Sequence, residues 1–219
     1  MQYQLFVARL LVLCETIAII ACNMEAPLSD DAIDPKKTAL VAIDLQHGIV
    51  TMPTQPHAAE AVVSRTAQIA DRLRASGGLV LFVRVANAPN GADALAPLTD
   101  SPAKPGAVRP ANWSDLVPGL KVQDSDIIIT KRQWGGFYGT DLDLHLRRRM
   151  IGTIILTGIA TNIGVESTAR DAYEFGYNQI FVEDAMAAMS QDGHAVPIKT
   201  IFPRIGRVRS TADVIAALG

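Results

Sequence analysis

From Thr38 onward the chain alternates short apolar, β-branched runs with stretches of helical period, and that alternation leaves few folds open to it. TALVAID (Thr38–Asp44), LVLFVRV (Leu79–Val85), DIIITK (Asp126–Lys131), TIIL (Thr153–Leu156) and QIFVED (Gln179–Asp184) have the length and composition of buried strands, and a shorter run stands at Arg207–Val208. Helical patterns fall between them at His57–Ser76, Thr140–Met150, Gly164–Phe175 and Gln191–Phe202, with a last one at Thr211–Leu218. The first places Ala61, Val62, Ala67, Ile69, Ala70 and Leu73 on one face and ends on Gly77-Gly78, a C-cap signal. Strands that are apolar throughout, each followed by a helix, predict a parallel sheet covered on both faces. The expected architecture is a three-layer α/β/α sandwich of Rossmann-like type. One long irregular stretch, Ala86–Gln123, interrupts it, and a loop of that length in a compact domain is usually a lid or a binding loop.

Composition narrows the function classes. A hydrophobic fraction of 49% over 219 residues suits one domain with a large core. The net charge of −2 provides no electrostatic reason to expect nucleic acid or an anionic membrane as partner; a small-molecule substrate is expected instead. The basic run Arg147–Arg149 closes a helix, where the macrodipole favours it. Both cysteines, Cys14 and Cys22, precede the alternating pattern, so a catalytic cysteine and a cysteine zinc site are excluded from the domain, taken as 38–219. Residues 1–37 form an N-terminal extension. Its apolar segment Leu11–Cys22 is too short for a membrane span and carries Glu15. Three readings of it stay open: a lipoprotein-type export signal ending at Cys22, a start placed upstream of Met24, or a packing helix of the protein itself. The expected location is cytoplasmic, with export as the alternative.

In open parallel sheets, ligands bind beyond the carboxyl ends of the strands. Those ends carry Asp44, Asn87 and Lys131, and the fourth strand runs into GIATNIG. An acid, an amide, a cation and a glycine-opened helix therefore face one cleft. A neighbouring ammonium lowers the pKa of such an Asp, while burial raises it.

VAIDLQ around Asp44, KRQWGGF around Lys131 and GIATNIGVESTARDA around Gly164 resemble, in order and spacing, the three signature regions of the isochorismatase-like hydrolases, the cysteine hydrolase superfamily. The likeness extends over Thr38–Leu218 and includes FPRIGRVRS. It implies a six-stranded parallel sheet, a non-proline cis peptide at Ile159–Ala160, and a homo-oligomer, dimer or tetramer. It also implies an Asp–Lys–Cys set in which Asp44 and Lys131 match the first two members. The cysteine position holds Gly164, and glycine offers no nucleophile. Isochorismatases proper share that glycine and cleave a vinyl ether, for which an acid and a water suffice. They carry Tyr-Ala-His, however, where this chain has the amidase-like Ala160-Thr161-Asn162.

The resemblance thus implies a hydrolase of a vinyl ether, amide or ester bond that acts by Asp-assisted water attack. Asp44 and Lys131 are the catalytic candidates. Ala160, Asn162, Ile163 and Gly164 would offer the substrate their backbone, with Asn87, Trp134 and Phe137 as further pocket candidates. Core packing or a subunit contact is the competing reading for the aromatic residues. A catalytically silent, metabolite- or protein-binding member of the superfamily is one alternative. A hydrolase using Thr161, Ser167 or Thr168 is another, although capping or local backbone bonding is the expected role of those hydroxyls. No cofactor and no metal are expected: His47 and His57 lie near the region where nicotinamidases of the superfamily hold a metal, but the required Asp-x-His is missing.

Overall fold

A computed structural model describes residues 32–101 and 109–219; Cys14, Cys22 and the segment Leu11–Cys22 lie outside the described residues. Six strands form one all-parallel sheet: β1 (Thr38–Ile43), β2 (Leu79–Val85), β3 (Ile127–Lys131), β4 (Thr153–Ile159), β5 (Asn178–Ala187) and β6 (Arg207–Arg209). Their spatial order is β3-β2-β1-β4-β5-β6, so the order reverses between β1 and β4. The helices are α1 (Ala59–Ala75), α2 (Leu142–Arg148), α3 (Glu166–Glu174), α4 (Gln191–Val196) and α5 (Thr211–Ala217), joined by single helical turns. Among the described residues no helix is long and apolar enough to cross a membrane.

The two-residue period of β1 builds both halves of the core. Leu40 and Ala42 pack on one face with Val62, Ile69 and Leu73 of α1 and Val214 of α5. Ala39, Val41 and Ile43 pack on the other with Leu142 and Leu146 of α2 and Ala169 of α3. There Phe181 and Phe202 stack with ring centroids 4.0 Å apart. Every residue of β1 is buried, as a central strand covered on both sides requires.

Gly77-Gly78 ends α1 as the sequence suggests: Gly77 has φ +80, and its N–H and that of Gly78 donate to Arg74 O and Leu73 O. Just before this cap, the Arg74 guanidinium grips Asp126 with two hydrogen bonds, of 2.9 and 2.7 Å. The Asp126 side chain is only 1% exposed, so this fork fixes the approach to β3. Arg74→Ala leaves that carboxylate buried without its partner. It is expected to lower stability by about 3 kcal/mol, measurable as a shift in the urea midpoint.

Several boundaries differ from the sequence expectation, the strand expected at Gln179–Asp184 among them, which spans Asn178–Ala187. The strand expected at Thr153–Leu156 continues to Ile159, pairing Thr157 with Ala42 and Gly158 with Ile43. Gly158 marks close approach here, not a turn: its φ is +123, and a Cβ would lie 2.1 Å from Ile43 O. The helix expected from Gly164 starts with a wide π-helical turn, Thr161–Val165, before α3 begins at Glu166. The pattern at Gln191–Phe202 is broken at Pro197, where a second π-helical turn, Pro197–Ile201, takes over. A proline has no N–H for the regular helical bond.

Candidate active site

β1 ends at Ile43, and Asp44 follows with φ +55, a left-handed conformation uncommon for a residue other than glycine. Its N–H donates to Val83 O of the neighbouring strand. Lys131 closes β3, two strands away, and its side chain reaches across: Nζ lies 2.8 Å from Asp44 Oδ2 and also donates to Trp134 O. Lys131 is 1% exposed and Asp44 6%. The pair faces Gly164 on the turn after β4, across the β1/β4 switch point. The peptide Ile159–Ala160, directly before that turn, is cis.

The ammonium does not decide the protonation of Asp44. Burial pushes the carboxyl up to about 6, against the opposing pull of Lys131. Oδ2 is engaged by the ammonium; Oδ1 is buried and has no hydrogen-bond partner among the described residues. A carboxyl in this state can hold or give up a proton near neutral pH.

Gly164 leaves little room for a side chain. A Cβ there would stand 2.9 Å from Ile43 Cγ2, 3.0 Å from Asp44 Oδ2 and 3.2 Å from Lys131 Nζ. The ion pair occupies the space a nucleophile would need. Thr161 and Thr168 do not replace it. Thr168 Oγ1 donates to Gly164 O at 2.7 Å and accepts from the Gly136 N–H at 3.0 Å. Thr161 Oγ1 is paired with His194 Nδ1 at 3.0 Å. Ser167, with Thr161 and Thr168, is absent from the lining of the cavity over the pair.

That cavity has a volume of about 490 Å³. Asp44, Lys131, Gly164, Ile163, Ala160, Trp134 and Asn87 line it. Two sequence candidates do not. Phe137 is 5% exposed in the core, its ring 5.3 Å from Phe175 and 5.9 Å from Tyr177, because the turn after Gly135-Gly136 directs it under the sheet. Asn162 is exposed and faces Gly193 instead.

The long loop after β2 supplies what the sequence reading missed. Gln46, fully buried just past Asp44, anchors it: Nε2 donates to Val85 O and Trp113 O, and Oε1 accepts from the Val85 N–H. Trp113 lies flat against Gly48, where a Cβ would be 2.0 Å from its ring. Arg109 stacks over Trp113 at 4.0 Å and donates to Asn87 Oδ1 at 3.0 Å. Asn87 Nδ2, buried, has no hydrogen-bond partner among the described residues. Arg132, held by Asp93 at 2.6 Å, is the second guanidinium on the cavity wall. Only the length of the loop hinted at Arg109 and Trp113.

The fold agrees with what the chain resembles among known proteins. The isochorismatase domain model matches residues 38–213. The chain belongs to the isochorismatase family. Among its family relatives, YwoC of Bacillus subtilis, an uncharacterized isochorismatase family protein, is 52% identical over 184 residues, covering 84% of this chain and 95% of YwoC. The ureidoacrylate amidohydrolase RutB of Klebsiella pneumoniae is 30% identical over 208 residues, covering 83% of this chain and 88% of RutB. A solved isochorismatase family structure from Burkholderia thailandensis superposes with a TM-score of 0.81 at 50% identity, covering 85% and 97% of the two chains. Membership of the isochorismatase family accounts for the six-stranded parallel sheet and sets hydrolysis as the general chemistry of this fold's relatives.

Proposed function

We propose that this protein hydrolyses a small carboxylate-bearing metabolite by direct attack of water, with no covalent intermediate. Asp44 supplies the proton, to the vinyl carbon of a vinyl ether or to the leaving nitrogen of an amide; water then adds to the resulting electrophilic carbon, and Lys131 holds the carboxyl in place. The observation that carries this reading is the buried Asp44–Lys131 pair at 2.8 Å, facing a glycine where no nucleophile stands. A carboxyl pushed up to about 6 is protonated in roughly a tenth of molecules at neutral pH, enough for a general acid. The bond best matched to an acid and a water is a vinyl ether; the RutB relatives make an amide of ureidoacrylate type the second candidate.

The cavity also constrains the substrate. Arg109, Arg132 and Lys131 line the cavity with Asp44 as the only acid among its described lining residues, so an anion is favoured there. Asn87 Nδ2, a buried donor without a partner among the described residues, would complete a carboxylate site beside Arg109. Arg109→Ala is expected to raise KM roughly tenfold to a hundredfold, with kcat changed less than threefold, because it removes a binding contact remote from the bond broken. Steady-state kinetics read the split.

The deciding experiment is a panel of small carboxylates bearing vinyl ether, amide or ester bonds, including isochorismate and ureidoacrylate, run on the wild type and on Asp44→Asn. Turnover that disappears in the variant supports the proposal. Ligand-induced thermal stabilisation without any turnover would replace it with a silent binding role. A covalent adduct by intact mass during turnover would replace it with a hydroxyl nucleophile.

A further inference from the structure

A second group of chemistry-bearing side chains lies outside the cavity. His57 precedes α1, Glu183 sits in β5 and His194 in α4, and none of the three lines the cavity. The antiparallel bridge between Gln55 and Ala188 brings the chain before α1 against the end of β5. One nitrogen from each histidine and one carboxylate oxygen then lie within 4.8 Å of one another. His194 Nε2 is 4.0 Å from Glu183 Oε2, and the two imidazole rings stand perpendicular with centroids 5.7 Å apart.

We propose that His57, Glu183 and His194 form a binding site for a transition-metal dication of zinc type. Two neutral imidazoles and one carboxylate are a common donor set for such an ion. Three further observations carry the assignment. His57 Nε2 is buried and has no hydrogen-bond partner among the described residues, an orphan that a metal would satisfy. His194 Nδ1 is paired with Thr161 Oγ1 at 3.0 Å; with Nδ1–H donating to that hydroxyl, Nε2 turns its lone pair towards Glu183 and His57. The Glu183 side chain is 43% exposed, so the ion has a route in and the carboxylate has freedom to move.

Ligand atoms about 2.1 Å from a tetrahedral ion lie about 3.4 Å apart, so binding draws these side chains inward by about 1 Å. Water completes the shell on the exposed side. The sequence contains no local metal motif at this place, because the three donors come from three distant elements. Thr161 opens the turn that carries Gly164 beside Asp44, so the ion would steady that turn from behind.

The full chain, stripped with EDTA and exchanged into chelator-free buffer, is titrated with zinc chloride by calorimetry and by thermal shift. One zinc per chain and a raised Tm are expected. Cobalt(II) is expected to give visible absorption of a four- or five-coordinate nitrogen–oxygen site. His57→Gln and Glu183→Gln are each expected to weaken zinc at least about tenfold, and Thr161→Val by roughly tenfold. Both ligand variants change partly exposed side chains, so they avoid the folding risk of altering buried His194. A His47→Gln/His145→Gln double variant removes the remaining histidines and should bind zinc like the wild type. No 1:1 binding up to millimolar zinc, or equal affinity in His57→Gln and Glu183→Gln, overturns the proposal. Activity of the cavity does not enter this test.

Discussion

Asp44→Asn is expected to reduce kcat/KM by about 10³-fold while leaving the fold intact. The amide has the shape of the carboxyl and can still accept from Lys131 Nζ through one oxygen, but it holds no exchangeable acid proton. Circular dichroism and a Tm within a few degrees of the wild type would confirm that only the chemistry was removed. The wild-type pH profile provides the companion measurement. With the carboxyl at about 6, a general acid gives a rate that falls as pH rises through that value. A rate that rises instead would assign Asp44 to the attacking water as a base. Stability follows the same proton. The folded value lies above the free value of about 3.9, so the native state keeps a proton that the unfolded chain has released. This contribution is complete below about pH 4 and is lost as pH rises through about 6, a total of about 3 kcal/mol. In Asp44→Asn that slope should vanish from urea titrations taken between pH 4 and pH 7.

Lys131→Met is expected to be the most damaging change to the site's electrostatics. The ammonium is fully buried, bonded to Asp44 Oδ2 and donating to Trp134 O. Met preserves much of the apolar stem and removes the charge. Burial then acts on Asp44 unopposed, and its carboxyl rises above its present value of about 6. At pH 8 the fold must either bury an unpaired carboxylate or take up a proton, at a cost of about 3 kcal/mol. At pH 5, where Asp44 is largely protonated already, the loss should be clearly smaller. The pH–rate inflection should move upward by more than one unit, with kcat/KM at neutral pH reduced about a hundredfold. Equal destabilisation at both pH values would show that Lys131 acts only by filling space.

Strand polarity made half of the site legible in advance. Asp44 and Lys131 stand at the carboxyl ends of strongly apolar runs, and in a parallel sheet such ends converge. Gly164 was legible for a related reason, since it opens the helical pattern after β4. The other half had no periodic signal. Arg109 lies in an aperiodic loop, and nothing local tells that Trp113 will lie on Gly48 and carry the guanidinium to Asn87. Phe137 misled for the opposite reason. Its place beside Lys131 in the chain suggests the pocket, but a Gly-Gly turn intervenes, and the ring joins Phe175 and Tyr177 in the core. Gly158 carried no signal of its role: its lack of a Cβ serves contact with Ile43. The three metal-ligand candidates are scattered from position 57 to position 194, so only the folded chain brings them together.

The Gln46 anchor has a consequence for how this scaffold can change. Both hydrogen bonds donated by its amide end on main-chain carbonyls, Val85 O and Trp113 O, and the one it accepts comes from a main-chain N–H. The tether therefore does not depend on which side chains those two positions carry. Loop residues that touch substrate can be exchanged while the clamp and the proton-handling pair beneath stay as they are. Substrate preference and reaction chemistry are thereby separable in this architecture, and a library restricted to the loop could shift one without rebuilding the other.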